Sequence, residues 1–173
     1  MNIKKILTVL FLLSFSAKNL HAELPHFIDF QKILNESIAG KKAQNELKSK
    51  LDTSIKKLNS DQKDLQDQEK KIIQQKKLIS AEEYKKKVNE LRKKVSQLQK
   101  NRGKTLQKIA SQRAKAKENL LKNLNPIIQN YMKEKRIRMV INKKNLILAD
   151  EKLDITNDVM KLLNDKIKSV KLD

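Results

Sequence analysis

Cysteine and tryptophan are absent from the 173 residues, glycine and proline occur twice each, and aromatic residues make up 3%. Without cysteine there is no disulfide framework, no thiol nucleophile, no Cys-ligated zinc and no lipid-modified N-terminal cysteine, while the redox compartment stays undetermined. Gly40 and Gly103 are the only glycines, so there is no glycine-rich phosphate loop. So few aromatics beside 35% charged residues cannot fill a thick core. Long helices that expose most of their surface need only a narrow apolar stripe. The shortage points to an elongated chain of about one domain in size.

Acidic residues are also scarce, 20 Asp+Glu against 40 Lys+Arg, for a formal charge of +20. Such a surface repels itself and attracts acidic partners at rates that fall with salt. Nucleic acid, anionic lipid headgroups and acidic polypeptides are the candidates. The basic residues are 35 Lys and only 5 Arg. Lysine is a hydrated point charge, whereas base readout and stacking favour arginine with interleaved aromatics, so no specific nucleic-acid partner is expected.

The first 22 residues read as a secretory signal: a basic start to Lys5, an apolar run from Ile6 to Phe15, and Ala22 before Glu23. The run is far short of the roughly 18 to 20 residues of a spanning helix. Removal is the expectation, with retention as an anchor the alternative. Loss of Lys4, Lys5 and Lys18 leaves +17 on the mature chain. An exported protein rarely meets DNA as its ligand.

Residues 41–124 contain no proline and read as one helical tract folded back on itself, the arm. Leu51, Leu58, Leu65, Ile72 and Ile79 recur every seven residues; Ile55 holds the intervening row, followed there by Gln62, Glu69 and Lys76. This is half a coiled-coil seam, one row aliphatic and the other polar. The return reads Tyr84, Val88, Leu91, Val95 and Leu98, then drifts through Arg102, Leu106 and Ile109. Ser80 followed by Glu83 is a capping box, which sets a tip near residues 79–81. One unbroken helix through Ser80 is the alternative. Arms of this length would span about 60 Å, with Gly103 a candidate bend point.

Positive charge concentrates on the outer arm. Between Lys76 and Lys117 there are 12 Lys and 3 Arg against Glu82, Glu83 and Glu90. The cations are Lys76, Lys77, Lys85, Lys86, Lys87, Arg92, Lys93, Lys94, Lys100, Arg102, Lys104, Lys108, Arg113, Lys115 and Lys117. A solvated helix face is the simpler role for most of these lysines, but solvation would be served equally well by paired Glu and Lys, and the sign bias makes the set a candidate diffuse binding surface.

The body is expected to be discontinuous, residues 23–40 and 125–173. Asn125 and Pro126 should end the arm and start a short helix through Ile127, Ile128 and Tyr131. Ile137, Arg138, Met139, Val140 and Ile141 read as a strand, Asn142 to Lys144 as a turn, and Leu146 through Leu148 to Ala149 as a return strand, making a β-hairpin. Phe27, Ile28 and Phe30 read as a third strand. Asp154 or Thr156 can cap a last helix that buries Ile155, Val159, Leu162, Leu163 and Ile167. So little structure cannot bury enough surface alone, and association through sheet edges is expected.

Residues 28–44 resemble the N-terminal strand-to-helix signature of the Skp (OmpH-like) periplasmic chaperone family at Asp29, Gln31, Ile33, Leu34, Ser37, Gly40 and Ala43. The closing stretch is similar at Val140, Ile141, Leu148, Ala149, Asp154, Ile155, Thr156 and Val159. The resemblance spans essentially the whole mature chain, although the arm matches only in pattern. It implies a mainly α protein with a small β part: a homotrimer in which long antiparallel coiled-coil hairpins project from a small intersubunit β-barrel body. It also implies a periplasmic, ATP-independent holdase for unfolded outer-membrane proteins, without cofactor. The abundance of lysine and the polar seam depart from the family pattern. No residue of the lipopolysaccharide site suggested for the family is carried over.

Catalysis has no candidate residues. His26 is the only histidine after the signal, with no second histidine or cysteine to join it at a metal. Val88, Leu91, Val95 and Leu98 could touch a captured chain, but packing within the arm is their simpler role. Two other classes stay open. An envelope spacer would explain the arm but not its charge, and a binder of anionic lipid or lipopolysaccharide would explain the charge.

Overall fold

Strand β1 covers His26–Ile28, and the chain leaves it for a helix within one residue. Asp29 keeps an extended backbone while its carboxylate accepts from the Lys32 N–H at 2.8 Å, which caps helix α1, Phe30–Glu36. Phe30, expected in the strand, is therefore the first residue of α1. The computed structural model describes residues 24–172, so the expected signal peptide lies outside the described residues.

Ser37 ends α1 and starts the next helix. Its N–H donates to the Ile33 carbonyl at 3.1 Å, and its Oγ accepts from the Gly40 N–H at 3.1 Å. The backbone between is extended, so α1 meets α2, Ile38–Gln75, at a corner. Gly40 fills the inside of that corner, against the Leu34 carbonyl.

A turn follows, and α3 runs from Ala81 to Lys135. Ser80 Oγ accepts from the Glu83 N–H at 3.1 Å, the cap that its sequence position predicts. The Glu83 carboxylate lies 3.4 Å from the Lys87 ammonium one turn on. At about 1.5 Å per residue, α2 and α3 are about 57 and 82 Å long.

Helix α3 does not break at Asn125 and Pro126 as expected; Pro126 lies inside it. A mid-helix proline costs about 3 kcal/mol through its missing donor and its clash one turn back. Leu120, Leu124, Ile127, Ile128 and Tyr131 surround it and are all at most 8% exposed. Burial contributes about 1.5–3 kcal/mol for each large apolar side chain, which outweighs the loss. The helix ends at Arg136, in the left-handed region at φ 56°, and Ile137 N–H closes it on the Met132 carbonyl at 2.8 Å.

Strand β2, Val140–Asn142, pairs parallel with β1, with His26 opposite Val140 and Ile28 opposite Asn142. The expected β-hairpin is therefore replaced by a parallel pair whose crossover is the entire helical arm. Leu146 to Ala149 form no strand. The Asn142 side chain accepts from the Lys144 N–H and the Lys143 carbonyl from the Leu146 N–H, so a 3-10 turn carries the chain off the sheet. The other edge of β1 holds the Ile155 N–H on the Phe27 carbonyl at 3.0 Å.

Helix α4, Thr156–Lys166, starts under the Asp154 carboxylate, which accepts from the Thr156 N–H at 2.8 Å. The Thr156 hydroxyl accepts from the Asp29 N–H at 2.8 Å, tying the two ends of the body together. Eleven buried residues form the main core, and five of them lie between Leu120 and Tyr131. The root of α3 thus supplies the core that short strands alone could not.

Candidate functional site

The arm is positioned by a seam of alternating steps. On α2 the half-buried or buried residues are Leu47, Leu51, Ser54, Leu58, Asp61, Leu65, Gln68 and Ile72. On α3 they include Tyr84, Val88, Leu91, Leu98, Arg102, Thr105, Ile109 and Gln112. The aliphatic row is the expected one, but its companion is Ser54, Asp61 and Gln68 in place of Ile55, Gln62, Glu69 and Lys76. The reason is phase. At about 100° per residue each step of four drifts forward by about 40°. The root packs in steps of four through Ala39, Ala43, Leu47 and Leu51, so only a step of three restores the face, and Ile55 is left 42% exposed. On α3 the same correction puts Thr105 inside and leaves Leu106 out.

Three polar rungs hold the helices beside this seam. Arg102 donates to the Gln62 side-chain carbonyl at 3.3 Å, Lys94 to Gln68 at 2.8 Å and Lys87 to Gln75 at 2.9 Å. Each rung is a hydrogen bond from a cation to a neutral acceptor, so it joins the helices without cancelling charge. Nothing in the composition distinguishes these glutamines; their spacing of six and seven residues was the available signal.

The fifteen basic residues singled out from sequence are not gathered into a pocket. Lys76 and Lys77 lie in the turn, and the other thirteen lie on α3. Lys87 and Arg102 are half-buried at the rungs and the other thirteen of the set are exposed. Consecutive residues such as Lys85, Lys86 and Lys87 sweep about 200° around a helix. The positive surface therefore wraps the outer side of α3 instead of lining one stripe. At the tip the Lys76 ammonium sits 5.9 Å from the centre of the Tyr84 ring.

Exposed aliphatic side chains are interspersed with these cations: Ile55, Ile73, Leu78, Val95 and Leu106, with Leu78 81% exposed at the tip. Val88 and Leu91 are half-buried and Leu98 is buried in the seam, so of those four only Val95 is free for other contacts. A recess of about 360 Å³ opens between the helices at Leu65, Leu91, Val95 and Leu98. Such a surface can attract an acidic chain over a distance and then offer it several weak apolar contacts. Among the described residues no three or more His, Asp or Glu side chains cluster to hold a metal, and no helix is long and apolar enough to cross a membrane. His26 sits half-buried in β1.

The body residues divide. Phe27, Ile28, Ile155 and Val159 are buried within the single chain. Phe30, Ile137, Val140, Ile141, Leu146 and Leu162 are half-buried. Met139 is 57% exposed, and Ile147 and Leu148 are 97% and 91% exposed beside β2.

Two ionisable groups brace this body. Burial, and then the hydrogen bond and charge of Asp158, push the Tyr131 hydroxyl up to about 12; it donates to Asp158 Oδ2 at 2.6 Å. Burial alone would raise the Asp154 carboxyl. The hydroxyl and N–H of Thr156, with the Lys143 ammonium 3.5 Å away, hold it below the ordinary carboxylate range. The sequence reading missed the segment after α4, where Val170 is half-buried and Leu172 is 4% exposed against the arm root. Val170 and Leu172, two apolar residues flanking Lys171, were the signal.

Residues 26–163 match the sequence profile of the family described as outer membrane protein (OmpH-like). No curated protein matches the chain. Among solved structures, that of a candidate outer membrane chaperone (OmpH-like) from Caulobacter crescentus CB15 superposes with a TM-score of 0.81 at 20% identity, over 87% of this chain and 90% of that one. That likeness is one of fold.

Proposed function

This chain belongs to the outer membrane protein (OmpH-like) family, and from that premise we propose that it is a periplasmic chaperone, an ATP-independent holdase that binds unfolded outer-membrane β-barrel proteins among basic arms and prevents their aggregation. One observation carries the reading: the arm joins its helices through glutamine acceptors, so it keeps its positive charge while exposing Ile55, Ile73, Leu78, Val95 and Leu106. Charge gathers the client, and scattered aliphatics hold it by contacts weak enough to release without fuel. No bond is made or broken in this cycle, so the protein is not an enzyme.

The working form is a homotrimer joined through the body, residues 23–40 and 125–173, with residues 41–124 as arms. Exposure of Met139, Ile147 and Leu148 next to a two-stranded sheet supports association there, because an open edge and apolar side chains are both satisfied by another copy. Strands from three copies would close as a small barrel. Three mature chains at +17 each carry +51, which keeps the arms apart and the cavity open.

The test is to dilute an unfolded outer-membrane β-barrel protein from urea into the mature protein and follow light scattering at low and high salt, alongside a mass measurement. Suppression without ATP, weaker at high salt, by a species of three chains is expected. A monomer that leaves scattering unchanged would remove the reading. A second reading, binding of anionic lipid or lipopolysaccharide, is favoured by Leu78 standing 81% exposed beside Lys76 and Lys77. Anionic liposomes that bind as well as the unfolded protein does would favour it.

A further inference from the structure

After α4 the chain does not leave the molecule. Residues 168–172 form a strap that returns along the root of the arm, where small residues on α2 and α3, Gly40, Ala43 and Ala116, leave a trough. Val170 packs against the edge of the main core and Leu172 is buried on Ala43, Leu47 and Ala116. Lys171, between them, is exposed, and its carbonyl accepts from the Asn119 side-chain amide at 3.0 Å. What the trough reads is therefore two apolar side chains at alternate positions and one backbone carbonyl. These are properties of any extended segment with that alternation, independent of its remaining sequence.

The trough is also longer than its occupant. Beside Val170 it continues as a recess of about 340 Å³ lined by Leu34, Leu47, Leu120 and Arg113. Its rim holds Arg113 and Lys117, and the strap adds Lys171 to that neighbourhood. A segment with neutral or acidic residues at the outward positions would meet the rim with better charge complementarity than the strap does.

We propose that this arm-root trough is a binding site for extended polypeptide segments with an apolar residue at every second position, and that residues 170–172 occupy it as an intramolecular stand-in that such segments displace. The proposal rests on the chaperone reading, since period-two alternation is what the strands of a membrane β-barrel present. It adds a shape-selective site at the root to the diffuse capture along the arm. Because a tethered ligand competes at an effective concentration on the order of millimolar, the strap is a filter: isolated apolar residues fail to displace it, and alternating segments succeed.

The probe is a fluorescent peptide of leucine alternating with serine and glutamate, and its control is an isomer of the same composition with the leucines in one block. Fluorescence anisotropy is read on the full chain and on the Val170→Ser/Leu172→Ser variant. The variant should bind the alternating peptide about tenfold more tightly than the wild type, because the tethered competitor is gone. The blocked isomer should bind both proteins weakly. Equal affinity in variant and wild type, or equal binding of the two isomers, overturns the proposal. A measurement on the unmodified protein decides the matter even if the variant fails to fold. Saturating alternating peptide should move the methyl NMR signals of Val170 and Leu172 from their packed positions to those of exposed side chains, and binding that leaves those signals unmoved overturns the proposal too. Failure here beside intact suppression of client scattering by the wild type discards the trough site alone; loss of that suppression discards the chaperone reading.

Discussion

A Cβ placed on Gly40 would lie 2.2 Å from the Leu34 carbonyl oxygen, and 2.9 Å from both the Leu34 carbonyl carbon and Ser37 Oγ. Two of these atoms are backbone and cannot rotate away, so Gly40→Ala must open the corner between α1 and α2. The corner is tied by two bonds that opening would stretch: Ser37 Oγ to the Gly40 N–H at 3.1 Å and the Leu34 carbonyl to the Gln44 amide at 3.1 Å. Helix propensity favours alanine by about 1 kcal/mol. Against it stand about 1–3 kcal/mol for overpacking and about 1 kcal/mol for a weakened cap. Ile33 and Ala39, both 0% exposed, also move with the corner. A net destabilisation of about 1–3 kcal/mol follows, which for a chain of this length lowers Tm by about 2–12 °C. Gly103 is the internal control, since nothing lies within 4 Å of its Cβ position and Gly103→Ala should gain about 0.5–1 kcal/mol. Thermal and urea unfolding followed by circular dichroism, at one protomer concentration, measures both. A Gly40→Ala protein as stable as wild type, or both variants shifting the same way, would refute the reasoning.

Three further outcomes are expected. Tyr131→Phe removes a 2.6 Å bond to a carboxylate and should cost about 1.5–3 kcal/mol. The folded-state phenol is raised to about 12, so wild-type stability should fall as pH rises from about 10 toward 12, and urea midpoints of the variant should lack that alkaline decline. Asp154 is shifted the other way: its contribution is present above the ordinary carboxylate pKa of about 4 and is lost as pH falls through the lower folded-state value. Asp154→Asn should therefore flatten the acid limb of the same profile; an unchanged limb would show that another group sets it. Leu148→Asp places a charge on a side chain that is 91% exposed in the single chain, so it should leave helicity intact and, under the proposed trimer, lower the mass of the assembly; a trimer that forms undiminished would place the proposed interface elsewhere.

Some of this molecule is written in adjacent residues. The Ser80 cap of α3 and the Asp29 side chain at the start of α1 act within three residues, and the seven-residue recurrence of Leu51, Leu58, Leu65 and Ile72 needs only helix geometry to face one way. The excess of lysine needs no fold at all. The companion row of the seam was not legible, because its phase is set at the root by Ala39, Ala43 and Leu47, whose packing depends on the body. Phe30 misled for a related reason: its β propensity yields to the cap one residue earlier.

Composition and local periodicity thus settled the helical character, the start of the returning helix and the sign of the surface, since those follow from interactions a few residues apart. Tertiary packing settled what joins distant parts. It carried α3 through Pro126, because five buried side chains outweigh one missing hydrogen bond. It paired β1 with β2 across the whole arm, where local patterning pointed to a hairpin with Leu146–Ala149. It laid Leu172 on Ala43, Leu47 and Ala116, a contact between residues more than fifty positions apart that no short window of sequence contains.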